Sequence, residues 1–149
     1  MANPLIRFTV DKNKNIINVE NVNTTQTAAT FVSEYKAYLF GINQSGSLNS
    51  SGTCSIKMYS CQIYDNDILV RDFIPCITEN GRVGLFDKIK KKFYGNNGIG
   101  NFVAGFAYEN PINNLSESYT RLEYIESSGT QYINTGFKPS NTTRAVIDF

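Results

Sequence analysis

Apolar and polar residues alternate in short runs along this chain, and turn residues interrupt the runs at short intervals. Alternation with period two marks strands that bury one face. In "IRFTVDKNKNIINVE" (residues 6–20), Ile6, Phe8 and Val10 share a face, "DKNKN" turns and "IINV" returns, which predicts a hairpin. The polar stretch "NVNTTQTAAT" (21–30) reads as loop. "EYKAYLFGIN" (34–43) predicts the next strand, with Tyr38, Phe40 and Ile42 on one face and Ala37 and Leu39 on the other. "QSGSLNSSG" (44–52) reads as loop again.

The longest strand pattern is "CSIKMYSCQIYDND" (54–67). Ile56 and Met58 point one way, and Tyr59, Cys61 and Ile63 the other, so a central strand is expected, with "DND" as its turn. "ILVRDFIP" (68–75) predicts a strand closed by Pro75. Asn80-Gly81 inside "TENGR" is a strong hairpin signal. "VGLFD" and "KKFYGN" flank another tight connection, and "GIGNFVAG" (98–105) reads as a short strand. The nearest thing to a helical stripe, "LFDKIKKKF", is short and has no cap. The pattern predicts an all-β, antiparallel fold, a sandwich or barrel.

"AYENPINNLSES" (107–118) is polar, carries Pro111 and reads as a linker. Beyond it come "RLEYIES", a turn at Gly129, "QYINTGF", a turn in "KPSNT" and the alternating run "TRAVIDF". That last run needs a partner strand.

Composition narrows the function classes. The 149 residues suit one domain, and a formal net charge of +1 supplies no strong field toward nucleic acid or an acidic membrane. No apolar run approaches a membrane span, and "MANPLIRFTV" lacks the pattern of a secretory signal. Cys54, Cys61 and Cys76 are odd in number, and an extended strand would hold Cys54 and Cys61 too far apart to bridge. Free or buried thiols are expected. His is absent, which removes the commonest general base and the commonest zinc ligand.

Several features remain as candidate chemistry. Asp65 and Asp67 sit in a turn, and Glu123 and Glu126 face opposite ways on a strand, so neither pair suits the two-carboxylate chemistry of glycoside hydrolysis. "YDND" (64–67) has residues able to hold calcium, but a hairpin turn uses the same residues for its own backbone, and no cofactor is expected. "KIKKK" (88–92) reads as a solvated strand face or a guard against edge pairing, with an anionic glycan or phosphate as the other use. The N-x-Ser/Thr triplets at Asn23, Asn43, Asn49, Asn114 and Asn141 read as by-products of Asn-rich turns. "GNNGIG" is followed by no helix pattern and is no dinucleotide fingerprint. Sugars stack on exposed aromatic faces, and Tyr35, Tyr64 and Tyr94 are the candidate ligand-binding residues among nine tyrosines.

Two blocks carry a resemblance. "IKMYSCQIYDNDILVRDFIPCITENGRVGLFDKIKKKFYGNNGIGNFVAG" (56–105) resembles the closing half of a laminin G-like, concanavalin A-like lectin-type sandwich found in bacteriophage and prophage structural proteins. "YTRLEYIESSGTQYINTGFKPSNTTRAVIDF" (119–149) resembles the opening strands of the same family. The resemblance implies a jelly-roll sandwich without catalytic residues. It implies a virion (tail, fibre or capsid-decoration) or bacterial surface location. The expected role is assembly or receptor binding, with a glycan ligand and other subunits, including copies of itself, as partners. A purely structural oligomer with swapped terminal strands, and more remotely a small glycoside hydrolase, are the alternatives.

The order departs from the family, since the closing block comes first. Residues 1–106 then hold middle and closing strands, 107–118 a linker, and 119–149 opening strands. These belong to the same permuted sandwich, to a neighbouring subunit's, or to the next one along the chain.

Overall fold

The hairpin at the start of the chain forms as the alternation predicts. In the computed structural model, which describes residues 5–108 and 119–149, β1 (Arg7–Asp11) pairs with β2 (Ile16–Val19). The next element is a difference. β3 (Val22–Thr25) pairs with β2 through a two-residue turn at Glu20 and Asn21, both at positive φ (48° and 69°). Such mirror-image turns match strand twist. β3 was hidden in the sequence because it is the last strand of its sheet. All four of its residues are exposed, so no apolar face marks it.

Residues 34–43 do not form one strand. β4 (Tyr38–Leu39) stops at Phe40, whose φ is 64°, and β5 (Ile42–Gln44) starts after Gly41. A bulky residue in the left-handed region is uncommon. Here it turns Leu39 and Phe40 both inward, and Phe40 packs on Phe102 at 4.9 Å between ring centroids. Ile42, expected on the face of Phe40, is exposed. The stretch read as loop at 44–52 holds β6 (Ser47–Asn49), hairpinned to β5 across Ser45 and Gly46, and then one turn of 3-10 helix.

The long pattern of residues 54–67 is split as well. β7 (Lys57–Met58) and β8 (Ser60–Asp65) are separated at Tyr59 and belong to different sheets. β8 is central, as expected. Its turn at Asn66 and Asp67 has φ of 48° and 61° and leads into β9 (Ile68–Thr78), which continues through Pro75 rather than ending there. The Pro75 carbonyl accepts from the Leu122 N–H at 2.9 Å, on the side away from β10 (Val83–Asp87). Proline's missing N–H lies on that same side, where β8 has already run out, so no ladder bond is lost. β11 (Lys92–Gly95) closes the hairpin row, and "GIGNFVAG" keeps only β12 (Val103–Ala104) as strand.

Most of the linker predicted at 107–118 lies outside the described residues. Ala107 bridges Leu122, and the Tyr108 N–H donates to the Arg121 carbonyl at 3.0 Å. After it come β13 (Tyr119–Arg121), β14 (Ile125–Glu126), β15 (Ile133–Asn134) and β16 (Thr143–Asp148).

The large sheet runs β11-β10-β9-β8-β16-β1-β2-β3, all antiparallel, with β13 also on β9. β16 therefore fills the slot between β8 and β1 of its own chain. Arg7 and Asp148, opposite one another across β1 and β16, form a two-bond ion pair at 2.7 and 2.9 Å. The bond from Arg7, with another from Ser60, holds the Asp148 carboxyl below its usual range.

One face of the large sheet is covered by the short sheets β12-β14-β7 and β15-β4. Cys61, Ile63, Phe73 and Leu85 from the large sheet meet Leu39, Met58, Phe102, Leu122, Ile125 and Ile133 from the cover. Each fully buried large side chain contributes about 1.5–3 kcal/mol, and Phe73, Leu85, Ile125 and Ile133 are all 0% exposed. The protein is thus an all-β fold with its core between two layers. Over β1 and β16 the cover is incomplete, leaving apolar cavities of about 330 and 220 Å³ on either side of β4.

The cysteines are free. Cys54 precedes the strand on which the sequence placed it, and burial pushes the Cys61 and Cys76 thiols up to about 12. At pH 8 nearly all of both groups is protonated, and the thiolate is the reactive form. Iodoacetamide should therefore label Cys61 and Cys76 at least a hundred-fold more slowly in the native protein than in urea. Mass spectrometry after timed quenching checks this, and fast native labelling of either residue would contradict the buried placement.

Candidate functional site

The cleft best equipped for a ligand lies at the β11 margin of the large sheet, where it meets the loops that carry residues 96–100 and 132–136. Its volume is about 350 Å³, and Lys36, Arg82, Lys92, Tyr94, Asn97 and Asn134 give it its chemistry. Three cations line it and, among the described residues, no carboxylate does. Among the described residues, Lys36, Arg82 and Lys92 take part in no ion pair.

The asparagines build the wall. Asn96 accepts from the Gly98 and Tyr132 N–H groups at 2.7 and 3.2 Å and donates to the Gly100 carbonyl at 2.8 Å. Its polar atoms are thus spent on holding the loop. The Asn97 N–H donates to the Tyr132 carbonyl at 2.8 Å, and its side-chain oxygen accepts from the Asn134 N–H at 2.9 Å. Asn134 in turn accepts from the Gly136 N–H at 3.0 Å. The Nδ2 groups of Asn97 and Asn134 have no acceptor among the described residues and remain available as donors. Deeper in, Gln131 is buried and ties Ser127 and Ser128 to the Ile99 carbonyl. The "ESSGTQYIN" stretch is therefore the scaffold of this wall, and the cleft exists only because residues from 119–149 pair with the earlier part of the chain.

β11 supplies the floor. Tyr94 packs edge-on against Phe73, with centroids 5.2 Å apart, and Lys92 lies over its ring at 5.4 Å. Arg82 lies over Phe93 at 5.4 Å and against Gly95, whose lack of a side chain leaves room for the guanidinium. Gly136 sits at φ 69°, a conformation that side chains rarely adopt, so glycine is favoured there for its backbone rather than for space. A Cβ there would lie 3.7 Å from Arg71 Nη2 and 3.9 Å from the Tyr94 hydroxyl. Arg71 is itself buried, paired with Asp87 at 3.4 Å, and donates through Nε and Nη1 to the Thr135 and Val70 carbonyls. Its Nη2 makes no hydrogen bond to a described residue. The cleft is thus lined with donors and backed by a buried guanidinium. It can receive acceptor oxygens.

Of the three tyrosines singled out from the sequence, only Tyr94 lines this cleft. Tyr35 is exposed and rests against Gly46 in the β5–β6 turn. Tyr64 stands on β8 with Arg144 over its ring at 3.8 Å and its hydroxyl donating to Gln62 at 3.0 Å. The two-acid turn beside it is engaged too: Asp65 accepts from Thr142 at 2.7 Å, and Asp67 lies 3.8 Å from Arg144. The basic run of 88–92 does not form one strand face. Residues 88–91 are the β10–β11 turn, where Lys88 pairs with Asp72 at 2.7 Å, and only Lys92 reaches the cleft. Lys36, Arg82, Asn97 and Asn134 carried no signal of their own, because two are lone cations and two are asparagines among many.

Compared with known proteins, the chain matches no family model, no curated protein and no solved structure.

Proposed function

We propose that the chain is a non-enzymatic binding module of a bacteriophage virion or bacterial surface protein, of the laminin G-like, concanavalin A-like type, and that its ligand is carbohydrate. The observation that carries the reading is the polar cleft at β11. Free amide donors from Asn97 and Asn134, a phenol and three cations converge on an open volume large enough for a sugar unit. Sugars present hydroxyl and ring oxygens as acceptors, which those donors suit. The lining supplies no acid-base pair, which favours binding over turnover.

The test is a broad glycan array probed with the folded chain and with Asn134→Asp. The variant keeps the acceptor for the Gly136 N–H but removes the side-chain donors. The expected result is a defined glycan set bound by the parent and weakened about ten-fold or more in the variant, since an unpaired buried partner costs about 1–3 kcal/mol. An empty array with material that melts cooperatively would end the carbohydrate reading.

A further inference from the structure

We infer that the β11 cleft takes an acidic sugar, a unit bearing a carboxylate or sulfate, with the anionic group seated among Lys36, Arg82 and Lys92. This rests on the carbohydrate reading above and adds the charge of the ligand to it.

Three features of the cleft lead there. First, its cations are uncompensated. Five cations of the described residues have a carboxylate within 4 Å: Arg7 with Asp148, Lys14 with Asp11, Arg71 with Asp87, Lys88 with Asp72 and Arg144 with Asp67. Others, such as Lys57, Lys90 and Lys91, have none, but they do not line this cleft. Lys36, Arg82 and Lys92 share one cleft and have none. Gathering like charges is unfavourable, and a bound anion relieves it. Second, the aromatic surface is already used. Lys92 lies over the Tyr94 ring and Arg82 over the Phe93 ring, so the rings hold cations rather than presenting bare stacking faces. A neutral sugar stacking on Tyr94 would have to displace an ammonium, whereas an anionic one meets it. Third, the free side-chain amides of the wall are donors. The Nδ2 groups of Asn97 and Asn134 extend the same preference for oxygen acceptors.

The experiment compares matched ligand pairs on the intact chain by calorimetry. One arm uses oligogalacturonate and its carboxyl-reduced neutral counterpart, and the other uses dextran sulfate oligomers and plain dextran. The two arms separate carboxylate from sulfate as the source of charge. At low salt the acidic member of at least one pair should bind ten-fold or more tighter than its neutral partner. That preference should shrink as NaCl rises from 50 to 500 mM, because exposed charges are screened within about 8 Å at 0.15 M ionic strength. Arg82→Gln and Lys92→Gln should each weaken the acidic ligand by roughly two- to five-fold, the range measured for exposed ion pairs. Lys14→Gln, which lies outside the cleft, should leave binding unchanged.

Equal binding of the acidic and neutral members would overturn the charge inference while leaving the carbohydrate reading in place. Acid-selective binding that is indifferent to Arg82→Gln and Lys92→Gln would overturn the assignment to this cleft. Failure of both pairs, on a protein whose array is populated only by neutral glycans, would overturn the inference as well. The substituted residues are exposed, so circular dichroism should show every variant folded.

Discussion

A chain lacking residues 143–149 is expected not to fold. β16 is no appendage. It pairs with β8 at six positions and with β1 at five, so its loss splits the eight-strand path into two pieces. Two interior strands would then become edges, each with a row of unpaired N–H and C=O groups. Ile147, which packs against the core, and Asp148, which holds Arg7 and Ser60, would go with it. A domain holds only about 5–15 kcal/mol of net stability. Losing a central strand exceeds that. Far-UV circular dichroism and a thermal melt of the truncated chain decide the matter: we expect no cooperative transition and aggregation at micromolar concentration. A melt within a few degrees of the parent's would show that β16 is dispensable and that its placement between β8 and β1 is wrong.

The second large effect centres on Asp87. Its carboxylate is 0% exposed and sits 3.4 Å from Arg71. One oxygen accepts from the Asp72 and Ile89 N–H groups at 3.1 and 2.9 Å, so it also pins the end of β10 to β9. Its other oxygen has the guanidinium as neighbour without a hydrogen bond. Asp87→Ala leaves a buried cation with carbonyls alone for company. Breaking a buried pair from one side costs about 3–5 kcal/mol, because the surviving charge is uncompensated. Urea unfolding should show that loss. Asp87→Asn should fall between, since an amide oxygen can still accept from both N–H groups. Arg71→Met combined with Asp87→Ala should recover part of the loss, because the stranded charge is then gone. A loss under about 1 kcal/mol in the Asp87→Ala single variant would contradict the buried pairing.

The acid was invisible in the sequence as anything more than one residue of "VGLFD". Alternation places residues on faces, and Asp87 lies in register with Phe73. Nothing in a strand pattern says that a carboxylate on an inward face has found a guanidinium two strands' worth of sequence away. The same holds for the cleft. Lys92 was flagged as part of a run, but its three charged companions in that run are in the β10–β11 turn, and its partners in the cleft come from positions 36 and 82. Tyr94 is one of three tyrosines that stand out among nine. What places it in the cleft is the wall built by Asn96, Asn97 and Asn134 across a gap of more than thirty residues.

The misread elements share a cause. β3 and the β5–β6 hairpin are short and largely exposed, so their strand character comes from pairing alone and leaves no apolar stripe to read. Tyr59 separates a cover strand from a strand of the large sheet, and Phe40, at φ 64°, separates β4 from the β5–β6 hairpin. Pro75 reads as a stop in the sequence because proline removes a donor. The structure accommodates it where the partner on that side changes from β8 to β13.

The sequence by itself determined the all-β class, the hairpin at 6–20, the turns at 65–67 and 78–82, and the unbridged cysteines. These follow from period-two alternation, from turn residues that tolerate positive φ, and from counting, all of which are local. Only the tertiary structure decided where "TRAVIDF" goes, which strands share a sheet, and which cations gather at β11. Those depend on non-local pairing, in which a strand with two good faces can be completed by any matching edge. In this chain the strands of 119–149 complete the sheet formed by the residues before them.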